Sequence, residues 1–177
     1  MPAKFKSFLR LFIILFEKVY DKAYRLFAGL PPLKRSQISA NLFLGSQYNL
    51  AGLRKLKKMG ITGIINMRVH LVYSEAQNDG IHYLHLPTPD NTAPCMDALI
   101  KGADFADAEI KNCGKVYIYC RQGLGRAPTM TIAYLMKTGL TFNAAFALVK
   151  KVRPFINPRP CQVERLKELE RFYQKQW

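Results

Sequence analysis

The sequence predicts one α/β domain, a central and mostly parallel sheet flanked by helices, with an amphipathic helix in front of it. Three observations carry this. Short β-branched or alternating runs recur between stretches of helical periodicity, the pattern of crossover connections between parallel strands. A chain of 177 residues is long enough for one hydrophobic core and one domain. Its composition, 49% hydrophobic and 22% charged, is that of a globular protein and excludes general disorder.

Taken in order, residues 1–32 form the first unit. Phe5, Phe8, Leu9, Phe12, Phe16, Val19, Tyr20, Ala23 and Phe27 recur at helical spacing and make one wide apolar face, and Pro31-Pro32 ends the segment. Residues 33–177 form the second unit. "NLFLG" (41–45) reads as a strand and "NLAGLRKLKKMG" (49–60) as a helix stopped by Gly60, with cations in the last turn where the helix dipole favours them. "ITGIINM" (61–67) is a buried strand by its β-branched run. "IHYLHLP" (81–87) alternates as a strand and meets Pro87. A helix from Met96 to Asn112 follows the loop "TPDNTAPC", and "KVYIYC" (115–120) is the fourth strand. Helices at about 127–138, 142–152 and 162–175 complete the chain, with Pro154, Pro158 and Pro160 breaking the pattern before the last.

The charge balance bounds the partners. Against 12 Asp and Glu stand 27 Lys and Arg, a net charge of +15, which draws anions: nucleic acid, acidic phospholipid or phosphorylated substrate. Nucleic acid is not expected, because the densest basic run, "RKLKK" (54–58), lacks interleaved aromatics and reads as a solvated helix face. The apolar run between Leu11 and Phe16 falls far short of the roughly 20 residues a membrane span requires. Nor does it offer the longer apolar core and small-residue cleavage site of a secretory signal. Two readings of the first helix stand side by side: it packs on the body of the domain, or residues 4–28 lie on an anionic membrane surface. The expected location is cytoplasmic, with peripheral membrane attachment on the second of these readings. A mitochondrial address is the lesser alternative, because Glu17 and Asp21 interrupt the pattern of a presequence. Cysteines 95, 113, 120 and 161 form no CxxC pair and no zinc spacing, as expected of free thiols in a reducing compartment.

The chemistry is concentrated in "VYIYCRQGLGRAPTM" (116–130), which passes from strand to helix with Cys120 at the turn. Ligands of open α/β sheets bind beyond the carboxyl ends of the strands, where Cys120 sits. Pro128 falls in the first turn of the following helix, where its missing N–H costs nothing. Gly123 and Gly125 free the backbone between Arg121 and Arg126 from φ restrictions, so successive N–H groups turn inward at a helix N-terminus. That ring fits a phosphate, and the same field favours a thiolate. Arg126 adds a planar fork that binds two phosphoryl oxygens. The loop of Cys120, Arg121, Gln122, Gly123, Leu124, Gly125 and Arg126 thus sets a charged nucleophile beneath a clamped phosphorus atom.

"CRQGLGRA" resembles the Cys-x5-Arg signature of the protein-tyrosine phosphatase superfamily, and its small dual-specificity branch in particular. The likeness covers residues 38–172, where "ISANLFLGSQ", "GITGIINM", "HLPTPD" and "VRPFINPRPCQVERLKELE" follow in that family's order. The spacing is also similar to phosphatases of the mitochondrial phosphatidylglycerophosphate type. The loop "GLGRAP" is similar to that of the phosphatases of regenerating liver, whose prenylation motif "QKQW" does not match.

The resemblance implies the family fold, a phosphocysteine intermediate, and no metal or cofactor. It also implies a general acid in a mobile loop, and Asp90 of "PTPDNTAP" holds that position; an alkoxide must be protonated as its P–O bond breaks. Asp97 and Asp79 are weaker candidates, better explained as helix-start charge and turn. Arg121 and Arg159 are candidates for the pocket rim. The implied default substrate is a protein carrying phosphotyrosine, phosphoserine or phosphothreonine. A rival is an anionic phospholipid head group, favoured by the net charge and the first helix. Two departures suggest a third reading, a phosphate-binding module with little catalysis. Tyr119 stands where the family has His, and Ala127 where it has Ser or Thr to ease departure of the thiolate. Thr129 is one helical step away. Phosphocysteine is therefore expected to accumulate.

Overall fold

The computed structural model describes residues 3–71 and 80–175. Its sheet has four parallel strands, β1 (Leu42–Ser46), β2 (Gly63–Asn66), β3 (His82–His85) and β4 (Val116–Cys120), in the order β1-β4-β2-β3. β4 is therefore central, and Cys120 pairs in register with Ser46 of β1. The expected strand 61–67 shortens to Gly63–Asn66 because only those residues face both β4 and β3.

Period-two alternation sorts the sheet's side chains into two cores. Leu42, Leu44, Ile65, Val116, Ile118 and Cys120 face helices α3 (Met96–Lys111), α4 (Arg126–Lys137), α5 (Phe142–Val152) and α6 (Pro160–Gln174). Phe43, Ile64, Tyr117 and Tyr119 face α2 (Leu50–Lys58), whose Leu53 and Leu56 meet them. Burial of each such aliphatic or aromatic side chain contributes about 1.5–3 kcal/mol. The parity that faces Ile118 toward α4 also sends Cys120 to the α4 side and Tyr119 to the other.

The first helix, α1 (Ala3–Ala28), ends at Gly29, which takes the left-handed φ of +79° that a helix stop favours. Two acids tie α1 to the body: Glu17 pairs with Arg35, and Asp21 meets the buried guanidinium of Arg153. The opposite side of α1 remains bare. Phe27 is 92% exposed and Phe16 64%, in company with Leu11, Phe12, Leu15 and Val19. Among the described residues no helix is long and apolar enough to cross a membrane.

Candidate active site

The loop after β4 owes its shape to two glycines used in different ways. Gly123 has φ +67°, and a Cβ there would lie 2.6 Å from the carbonyl oxygen of Gly45. Gly125 has an ordinary negative φ of −124°; its need is space, since a Cβ would come within 2.9 Å of Gln162 Oε1. The expected release from φ restriction thus applies to Gly123 alone.

What turns the loop's amides inward is an arginine on its outer side. Arg153 Nε donates to the carbonyl of Gly123 at 3.0 Å and Nη2 to that of Gln122 at 3.2 Å. The backbone N–H of Asn157 holds the carbonyl of Leu124 at 2.7 Å. With three carbonyls directed outward, the N–H groups crowd the concave side, and that of Gly123 donates to Cys120 Sγ at 3.2 Å. Cys120 is 3% exposed at the floor of the cavity. The N-terminus of the 12-residue α4 points at the same spot, and its dipole favours negative charge there.

Arg126 opens α4 and is 5% exposed. Its Nη1 is anchored by the carbonyls of Thr88 (2.7 Å) and Met67 (3.3 Å). Nη2 reaches Asp90 Oδ1 at 2.9 Å, and the buried Nε has no partner among the described residues. Nε and Nη2 are the two edges a phosphoryl group would take. Asp90, 60% exposed, holds one of them from the loop after β3. That loop is latched by α6: Arg159 Nε donates to Asn91 Oδ1 (2.9 Å) and Gln162 Nε2 to the carbonyl of Thr92 (2.8 Å).

Cys120, Arg121, Gln122, Leu124, Gly125, Arg126, Asp90 and Arg159 thus surround one cavity of about 360 Å³, while Gly123 is buried. A larger cavity of about 480 Å³ lies between α1 and the end of α5, without a nucleophile. Asp97 stands in the first turn of α3, and Asp79 lies outside the described residues. His82 pairs with Glu109, and His85 bonds the carbonyl of Arg68, so both histidines have partners that the sequence did not suggest.

Sequence reasoning missed Lys18 and Gln162, which also line the cavity, as well as Arg153 and its partner Asp21. The available signal was acids at 17 and 21 on an otherwise apolar and basic helix. Tyr119 turns away from Cys120, stacks on Tyr117 and shares a 2.8 Å hydroxyl contact with Tyr83. Burial pushes its phenol far above the ordinary range, so it is a neutral wedge behind the strand. Thr129 donates its hydroxyl to the carbonyl of Gly125 at 2.9 Å and offers nothing to the sulfur.

A cysteine under loop amides, an arginine fork and a facing aspartate define a cysteine-phosphatase site. Residues 42–172 match the family model "Dual specificity phosphatase, catalytic domain", and the chain belongs to that family. Human dual specificity protein phosphatase 9 is 36% identical over 138 residues, which is 76% of this chain and 36% of that protein. Rat dual specificity protein phosphatase 5 is 34% identical over 66% of this chain and 30% of its own length. The chain therefore spans about a third of the curated relatives it matches. Among solved structures, PTPMT1 superimposes with a TM-score of 0.74 at 27% identity, covering 80% of this chain and 96% of that one. It has also been solved in complex with PI(5)P. Human DUSP28 gives 0.73 at 26% identity, covering 80% and 99%.

Proposed function

We propose that the protein hydrolyses phosphomonoesters through a phosphocysteine, and that its substrate is an anionic phospholipid head group met at a membrane surface. The observation that carries the chemistry is Cys120 Sγ, which accepts the Gly123 N–H in the cavity that Arg126 also lines, its Nε without a partner among the described residues. A phosphoryl dianion takes Nε and Nη2 of Arg126 and releases Asp90 from that fork toward the leaving oxygen. Sulfur forms its bond to phosphorus as the P–O bond breaks, and Asp90 gives its proton to the departing alkoxide. The Asp90 carboxylate then takes a proton from the water that cleaves the P–S bond. Asp90→Asn is expected to lower kcat about a hundredfold on an alkyl phosphate and far less on p-nitrophenyl phosphate, whose leaving group needs little protonation. Equal losses on both would remove Asp90 from this role.

The substrate class rests on α1. Its bare apolar side, with Lys18, Lys22 and Arg25 beside it, has the make-up of a helix that lies on an anionic bilayer, and Lys18 lines the catalytic cavity. PTPMT1, with its PI(5)P complex, adds support from a structural neighbour. The names of the curated relatives favour a second reading, a phosphoprotein substrate. The test compares phosphatidylinositol phosphate in vesicles containing an anionic lipid with a phosphotyrosine peptide, using wild type and Phe16→Asp/Phe27→Asp. A phenylalanine buried in the interface contributes about 2 kcal/mol. The double variant should therefore lose at least tenfold on vesicles relative to the peptide. Faster peptide turnover with no response to the two substitutions would establish the phosphoprotein reading instead.

A further inference from the structure

A second cavity, of about 180 Å³, adjoins the catalytic one, and the two share Lys18, Arg121, Gln122 and Leu124 in their walls. Its far wall comes from α1. Lys18, Asp21, Lys22 and Arg25 fall at i, i+3, i+4 and i+7, so a single helix face carries them all to the loop. Asp21 could have neutralised this cluster, but both of its oxygens bind Arg153, at 2.9 Å each. No carboxylate among the described residues lies within salt-bridge distance of Lys18, Lys22, Arg25 or Arg121. Among the described residues, the one hydrogen bond of the Arg25 side chain is a long one, 3.5 Å, to the carbonyl of Arg121. At the base of this cavity is Ser46, 1% exposed, whose hydroxyl has no partner among the described residues. Ser46 is the register mate of Cys120, one strand away from the nucleophile.

Four uncompensated cations and a free hydroxyl, side by side with the phosphate loop, form a receptor for an anion that is not cleaved. We propose that this groove binds the phosphodiester of a substrate whose terminal phosphomonoester lies over Cys120. The inference deepens the lipid reading above: a phospholipid with a phosphorylated head group carries both groups, and its diester marks the junction with the acyl chains. The cation row borders the apolar side of α1, which places that junction at the membrane surface. A diester keeps one negative charge at any physiological pH, and the groove offers it cations without a nucleophile.

Soluble substrates isolate the groove from membrane docking. Glycerophosphoinositol 5-phosphate carries the diester, and inositol 5-phosphate carries the same monoester without it. For the wild-type full chain, kcat/KM should favour the first by at least tenfold, chiefly through KM. Lys22→Ala/Arg25→Ala should bring the ratio close to one, and Lys22→Arg should preserve it. A ratio that stays intact in the double variant, whether or not damage to the fold depresses both substrates, overturns the proposal. A wild-type ratio near one, with vesicle lipid still hydrolysed faster than phosphopeptide, overturns the groove alone. A preference dependent on Lys22 and Arg25 for a doubly phosphorylated peptide, and not for the deacylated lipid, overturns the groove's assignment together with the lipid reading.

Discussion

Cys120→Ser is expected to abolish turnover on every phosphomonoester, and Ala127→Ser to accelerate phosphate release, the step expected to be slow in the native enzyme. The first result follows from the site's electrostatics. The Gly123 N–H donates to the sulfur and the start of α4 faces it, whereas a serine oxygen in the same place is a far weaker nucleophile. A loss on the order of 10⁴- to 10⁶-fold is expected when a covalent nucleophile is removed. The second result concerns the sulfur as leaving group. Ala127 is fully buried in the first turn of α4, and the nearby hydroxyls of Thr129 and Thr131 are bonded to the carbonyls of Gly125 and Ala127. No hydroxyl of this turn therefore reaches the departing thiolate. A serine at 127 supplies one. A charge-assisted hydrogen bond of about 1.5–3 kcal/mol corresponds to roughly ten- to a hundredfold in rate. Rapid-quench kinetics with labelled aryl phosphate should show a burst and label on Cys120 in the native enzyme, and a smaller burst with a higher steady rate in Ala127→Ser. A native enzyme without a burst would show that dephosphorylation is not the slow step.

The legible part of the molecule was the part written in local pattern. β2 was visible in its β-branched run, β3 in its alternation, β1 and β4 as short apolar runs, and α2 through α6 in apolar periodicity and punctuating Gly and Pro. The site's own chain was legible for the same reason: Cys120, the loop and Arg126 are contiguous, and Asp90 came with the family's pattern. What remained hidden depends on distance in sequence. Arg153 lies 30 residues beyond the loop carbonyl it holds, and Asp21 lies 132 residues before Arg153. Neither periodicity nor spacing joins such positions. Asp21 read as an interruption of a presequence pattern because its partner is invisible from its neighbours. Lys18 carries no signal of its own in the sequence and enters the cavity wall only because α1 lies against the phosphate loop. Tyr119 was judged by the histidine it replaces, yet strand parity sends it to the opposite core, where it packs with Tyr48, Tyr83 and Tyr117.

Asp21→Asn is expected to cost about 3–5 kcal/mol of stability, because it leaves the fully buried guanidinium of Arg153 without its counter-charge. The activity should fall with it, and the two losses can be separated. Arg153 does two jobs with one side chain: Nη1 and Nη2 answer Asp21, while Nε and Nη2 hold the loop carbonyls of Gly123 and Gln122. Replacing both partners by apolar residues of similar volume, Asp21→Leu/Arg153→Met, removes the buried charge altogether, and such exchanges are often neutral for stability. The double variant should regain most of the melting temperature lost by Asp21→Asn. Its kcat/KM should remain depressed by at least a hundredfold, because no group then keeps the carbonyls turned away from the phosphate. Recovery of activity along with stability would mean that the loop holds its shape unaided and that Arg153 serves the fold alone. The same pair decides how α1 can be probed. Deleting the helix removes Asp21 and strands Arg153, so a truncated chain confounds loss of the proposed membrane contact with collapse of the phosphate loop. Substitutions on the bare side, at Phe16 and Phe27, leave that pair in place and keep the two effects apart.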